Sequence, residues 1–252
     1  MNPNVERISY SVSIQDPMST AITPQPENHA VAPAWHTVLV VLIMLGLSVL
    51  SAYSQGLPSV GNTKNRISRY ITSIAMEWLM LGFIWIGLRL RKQRMRVLLG
   101  GNWGGLRQIS RDFGIAVLFL IVSYFVLGLL SHLLKAAPNA AIRSLLPHTP
   151  AEIAVYALLT VTAGICEEMI FRGYLQRQFS TFFRSAAAGV VLQGIVFGAA
   201  HGYQGPKLML VIVVFGVMFG MLAQSRRSLR PGMFAHFLQD LVTGIAAGRF
   251  MR

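Results

Sequence analysis

Apolar residues along this chain are gathered into long blocks, not spread at amphipathic intervals. Seven blocks can be traced, at residues 37–52, 70–90, 113–134, 151–178, 185–201, 207–224 and 232–248. A run of roughly 20 apolar residues is long enough to cross a bilayer as a helix. The pattern therefore predicts an all-α fold, a polytopic transmembrane bundle of about seven spanning helices. Block 185–201 is short and rich in glycine, block 151–178 turns amphipathic towards its end, and block 232–248 has polar residues inside it. Residues 1–34 are polar, contain Pro17, Pro24, Pro26 and Pro33, and predict a disordered arm. Because this arm is long and weakly charged, block 37–52 reads as a retained signal anchor and not as a cleaved signal peptide. The expected organisation is the arm, N-terminal spanning helices over 35–135 with a basic cytoplasmic loop at 91–112, and a helical core over 150–249.

Composition supports a membrane protein. Hydrophobic residues make up 54% of the 252 and charged ones only 12%, against about 25% charged in soluble domains. The net charge of +13 would fit nucleic acid, but the charges lie between the apolar blocks, as at Arg89, Arg91, Lys92, Arg94 and Arg96. That placement fits the positive-inside rule and contact with anionic headgroups. No nucleic-acid motif is present, so the bilayer itself is the expected partner. With the amino terminus inside, the inner loops carry 13 Lys and Arg and the outer segments 8, with Lys64, Arg66 and Arg69 running against the bias. Cys166 is the only cysteine, which rules out an internal disulfide.

Gly194, Gly198 and Gly202 recur every four residues, as do Gly216 and Gly220. Such spacing lets helix backbones approach closely in lipid. The fifth and sixth helices are expected to pack against each other inside the bundle.

Ionisable residues inside spans are costly and are functional candidates by default. Here they are Glu77, Glu167, Glu168, Arg172, His201, His236 and Asp240. Glu168 and Arg172 are four apart and share a helix face, so they can pair. Glu167 points about 100° away and is left for chemistry. His236 and Asp240 are again four apart, so Asp240 can orient the imidazole. At 1.5 Å per residue, Glu167 lies about 20 Å and His201 about 27 Å from the turn near residues 181–184. Counted from Arg230, His236 is about 9 Å deep and Asp240 about 15 Å, a loose match for one shared cavity.

Glu167-Glu168-Met169-Ile170-Phe171-Arg172, then Phe197-Gly198-Ala199-Ala200-His201, then His236-Phe237-Leu238-Gln239-Asp240 resembles the three-motif signature of the CAAX-protease and bacteriocin-processing family, also called CPBP or Abi. The resemblance covers roughly residues 150–245. It implies an intramembrane endopeptidase with its site inside a helical bundle. By resemblance, Glu167 activates the attacking water with His201, while His236 and Asp240 stabilise the oxyanion or help to hold a metal. Glu168 with Arg172 supports the geometry. The family often has asparagine where this chain has Asp240, and an ionised carboxylate cannot donate to an oxyanion as an amide can. Asp240 must then be protonated, orient His236, or ligate a metal. His201, His236 and a carboxylate would suffice for an open zinc site. No His-Glu-x-x-His motif is present, and no cofactor is favoured, with zinc as the alternative.

The expected function is hydrolysis of a peptide bond in a membrane-associated or lipid-anchored protein or peptide. The expected location is a multi-pass position in a bacterial plasma membrane. The alternative is a non-proteolytic membrane protein, an immunity factor or a transporter-like scaffold. A transporter would be expected to show inverted repeats and broken helices, which the sequence lacks. Cys166 reads as a small buried side chain. Glu77 is expected either to line the cavity or to pair with a base, and His29, His36, His132 and His148 receive no role.

Overall fold

The structure of the chain, a computed structural model, describes residues 30–55, 66–100 and 104–250. Every predicted block is helical. Helices α1 (Ala34–Gln55), α2 (Arg66–Leu90) and α4 (Leu106–Leu134) form the N-terminal half. A single turn, α3 (Arg96–Leu99), lies between α2 and α4, and α5 (Ala140–Leu145) follows α4. The fourth block is one continuous rod made of α6 (Pro150–Glu167), a π-helical segment (Glu168–Leu175) and α7 (Gln176–Phe182). Helices α8 (Ala186–Ala200), α9 (Pro206–Arg226) and α10 (Arg230–Phe250) complete the bundle.

Five of these rods are long and apolar enough to cross a membrane: Ala34–Tyr53, Arg66–Leu90, Leu106–Leu134, Pro150–Phe182 and Pro206–Arg226. Two of the seven expected spans fall outside that group. Helix α8 has 15 residues, about 22 Å at helical rise. Helix α10 is long enough but carries polar residues in its middle. The exterior is apolar, with Phe125 75% and Leu118 64% exposed. Water would penalise such a surface and lipid does not. The chain is an integral membrane protein.

The interior holds the polar side chains. Asp112, Glu168, Arg172, Gln176, Gln178, Gln193 and His236 are all buried. Buried polar groups must find partners, and the partners they find tie the helices together. Asp112, expected in the basic loop, lies inside α4, which takes up residues 106–112 of that stretch. Its carboxylate meets Arg230 Nε at 2.9 Å and Arg226 at 3.9 Å, joining α4 to α9 and α10. Earlier in that loop lies α3, where Leu98 is buried and the Leu99 carbonyl accepts from Leu229 N at 2.9 Å.

Most of the polar arm lies outside the described residues, but its last part is fixed in place. Val31 and Ala32 are buried. Gln178 Oε1 accepts from Val31 N at 2.8 Å, and Gln178 Nε2 donates to the Ala32 carbonyl at 2.9 Å. The same amide reaches Thr37 Oγ1 at 2.6 Å, Thr37 Oγ1 meets Tyr174 Oη at 3.0 Å, and Tyr174 Oη meets His36 Nδ1 at 2.7 Å. His36 Nε2 donates to the Phe83 carbonyl at 3.0 Å. His36 is therefore a fully buried link between α1, α2 and the π segment.

The glycine pattern places α8 against α9 as expected. A Cβ on Gly216 would sit 2.9 Å from Gly194 Cα, and one on Gly198 would sit 2.8 Å from the Met209 carbonyl. Two of the basic residues that ran against the charge bias have structural partners. Arg66 pairs with Glu152 at 3.3 Å, and Arg69 donates to Ser144 Oγ at 3.0 Å. Glu152 belongs to a capping box in which Thr149 Oγ1 accepts from Glu152 N and Glu152 accepts from Thr149 N. Pro150 follows at the first helical position, where its missing N–H costs nothing.

Candidate active site

The π segment begins at Glu168, directly after Glu167. Its wide i→i+5 turns are rare and recur at functional sites. All eight of its residues are buried. The expected Glu168–Arg172 pair forms there, with Nη1 2.9 Å from Oε1 and neither side chain exposed. The Arg172 guanidinium also lies over Phe197 at 4.5 Å and Phe219 at 5.1 Å. A buried charge survives only when it is neutralised, and Glu168 supplies the neutralising charge.

Glu168 has a second partner. His236 Nδ1 is 3.1 Å from Glu168 Oε1, so Nδ1–H donates to the carboxylate. The other nitrogen, Nε2, lies 3.6 Å from both Glu167 Oε2 and Asp240 Oδ2. One imidazole on α10 thus stands among three carboxylates, two from the α6 rod and one from its own helix. Close approach of the rods makes this contact. A Cβ on Gly164 would meet the Met233 carbonyl at 2.9 Å, and one on Gly232 would meet Glu168 Oε2 at 2.7 Å. Phe197, Phe215 and Phe219 surround the His236 ring at 5.5–6.1 Å between centroids.

A cavity of about 240 Å³ opens beside this cluster. Its polar lining includes Ser48, Glu77, Glu167, His201 and Tyr203, and its apolar lining includes Met44, Leu47, Met76 and Met80. Glu167 and His201, counted at different depths from the sequence, therefore meet in one space. His201 Nδ1 donates to the Phe197 carbonyl at 2.8 Å. That bond fixes the tautomer and leaves Nε2 with its lone pair. His201 is held at the end of α8 by a second contact. Ser48 Oγ donates to the Ala199 carbonyl at 2.8 Å and accepts from Gly202 N at 3.2 Å.

His236 and Asp240 are not among the residues lining this cavity. They reach it through Glu167, whose side chain is 19% exposed while that of Asp240 is 36% exposed. Among the described residues no group of three or more His, Cys, Asp or Glu side chains is arranged to hold a metal ion. His236 turns Nδ1 to Glu168, and Nδ1 of His201 is taken by a carbonyl. These bonds leave Nε2 of both rings free, the arrangement that a metal-ligating or water-binding histidine has. Sequence reading left Glu77 undecided between the cavity and a basic partner, and the structure puts it in the cavity. Ser48 was missed altogether, because a serine in an apolar block carries no chemical signal of its own.

A family model described as type II CAAX prenyl endopeptidase Rce1-like matches residues 149–242. The match contains all three motifs and bears out the resemblance to the CAAX-protease and bacteriocin-processing family. No curated protein and no solved structure matches the chain.

Proposed function

We infer, for a chain that matches the Rce1-like type II CAAX endopeptidases over residues 149–242, that this bundle hydrolyses peptide bonds of lipid-anchored substrates. One observation carries the reading: Glu167 and His201 share a cavity in the membrane domain, and Glu167 is backed by a His236–Glu168–Arg172 chain. Water bound in the cavity gives a proton to Glu167 as its oxygen attacks the scissile carbonyl. His201 Nε2 accepts a hydrogen bond from that water and aims its lone pair. Charge then develops on the carbonyl oxygen, and His236, protonated on both ring nitrogens among the three carboxylates, turns Nε2–H towards Glu167 at 3.6 Å and is the donor for it. Asp240 orients that imidazole, and Glu168, fixed by Arg172, holds its other nitrogen. Methionines in the cavity wall suit a long flexible apolar group, since the thioether adapts to irregular shapes. Prenylated carboxyl-terminal peptides, modified at a cysteine four residues from the end, are the substrates to try first. The amino terminus is placed inside, on the loop charges counted above.

The test is cleavage of a farnesylated peptide by purified protein in detergent, beside Glu167→Gln and before and after chelation. Cleavage by the wild type that survives chelation and falls about 10²-fold or more in Glu167→Gln supports the assignment. Full activity in Glu167→Gln refutes it. Loss on chelation with recovery on adding zinc refutes the metal-free scheme. Absence of cleavage with every lipid-anchored peptide favours a non-proteolytic scaffold.

A further inference from the structure

Hydrolysis of an amide needs two proton transfers, one from the attacking water and one to the departing nitrogen, because an amide anion is a very poor leaving group. Glu167 accounts for the first. The matched segment begins at residue 149, so the N-terminal helices have had no chemical task so far. Glu77 lies on α2, near the middle of a span, and lines the same cavity as Glu167 and His201. Its Oε2 is buried and has no hydrogen-bond partner among the described residues. It stands within electrostatic range of Glu167 and Asp240. A carboxylate oxygen buried without a partner is costly if it is charged, in lipid above all. Among the described residues that line the cavity none is Lys or Arg, so the ion pair weighed from the sequence does not form there.

We propose that Glu77 is the general acid of the site, giving its proton to the leaving amine. The inference rests on the peptidase reading above. Two other polar groups of the cavity have no proton to give. Ser48 Oγ already donates to the Ala199 carbonyl, and the free nitrogen of His201 carries a lone pair instead of a proton. Two carboxylates that line one cavity can divide the acid and base roles, as paired carboxyl groups do in other hydrolases. The protons balance. Water gives one proton to Glu167 and its hydroxyl to the carbonyl carbon. The C–N bond then breaks, its electron pair stays on nitrogen, and the Glu77 carboxyl proton moves there. Glu167 afterwards passes the proton it gained to the Glu77 carboxylate, directly or through a water, and the cycle closes with one water consumed.

The experiment compares two substrates on one enzyme: a farnesylated peptide, and the same peptide with an ester oxygen replacing the nitrogen of the bond that the wild type cuts. An alkoxide leaves without prior protonation. Glu77→Gln is expected to slow amide cleavage about 10²- to 10⁴-fold and to leave ester cleavage within about tenfold. Glu167→Gln is expected to slow both. Ester turnover also shows that Glu77→Gln is folded, and Glu77→Asp, which keeps the acid on a shorter stem, is expected to recover part of the amide activity. Equal losses on amide and ester, or unchanged amide cleavage, overturn the role of Glu77 and leave the peptidase reading standing. A wild type inactive on both substrates overturns the peptidase reading and this inference with it.

Discussion

Arg172→Met is the substitution whose cost the structure fixes best. The guanidinium is 2.9 Å from Glu168 Oε1, and both side chains are fully buried. At an effective dielectric constant of about 20, two unit charges at that distance attract by about 6 kcal/mol. Desolvation offsets part of this, and removing one partner of a buried pair costs about 3–5 kcal/mol because the other charge is left uncompensated. Methionine fills similar space and still touches the rings of Phe197 and Phe219, so the loss is mainly electrostatic. A shift of about 6–20 °C in the unfolding midpoint is expected for a domain of this size. The chain supplies its own probe. Cys166 is its only cysteine and is fully buried, so a thiol-reactive fluorophore reports when the site opens on heating. The double variant Arg172→Met/Glu168→Gln removes the stranded charge and is expected to regain most of the shift. An Arg172→Met midpoint equal to that of the wild type, or a double variant no better than the single, would refute the account of a neutralising pair.

Two further outcomes follow from close contacts. Gly216→Leu forces apart α8 and α9, whose backbones meet at Gly194; a destabilisation of at least about 1–3 kcal/mol is expected, read as a lower midpoint in the same assay. Ser48→Ala leaves Gly202 N–H and the Ala199 carbonyl without their side-chain partner. Its expected cost is about 1–3 kcal/mol, together with a lower kcat at nearly unchanged KM as His201 loses its anchored neighbour.

Much of this was legible because lipid enforces simple rules. Apolar block length gave the long helices to within four residues at each end, except that α4 begins seven residues before block 113–134. The Glu168–Arg172 pair followed from a spacing of four, and the α8–α9 contact from the glycine interval. Contacts between distant parts of the chain were not legible. Asp112 looked like a loop charge because its partners, Arg226 and Arg230, are more than a hundred residues away. His36 showed no role because its environment is built by Phe83 and Tyr174. Depth counting from the helix ends separated His236 from Glu167, since it could not see how α10 crosses the α6 rod. Glu77 was recognisable as a charge in a span, but its place beside Glu167 depended on how α2 packs.

The π segment has a consequence for how this chain tolerates insertion and deletion. Each i→i+5 turn closes a ring one residue larger than an α turn, so residues before Glu168 and after Leu175 lie on different angular phases of one rod. Removing a single residue between 169 and 171 would let the rod relax to uniform α-helix. It would also rotate Glu167 and Glu168 relative to Gln176 and Gln178, which anchor the far end on α9 and on residues 31–37. The reading frame of side chains along this rod is therefore set by its length as much as by its composition.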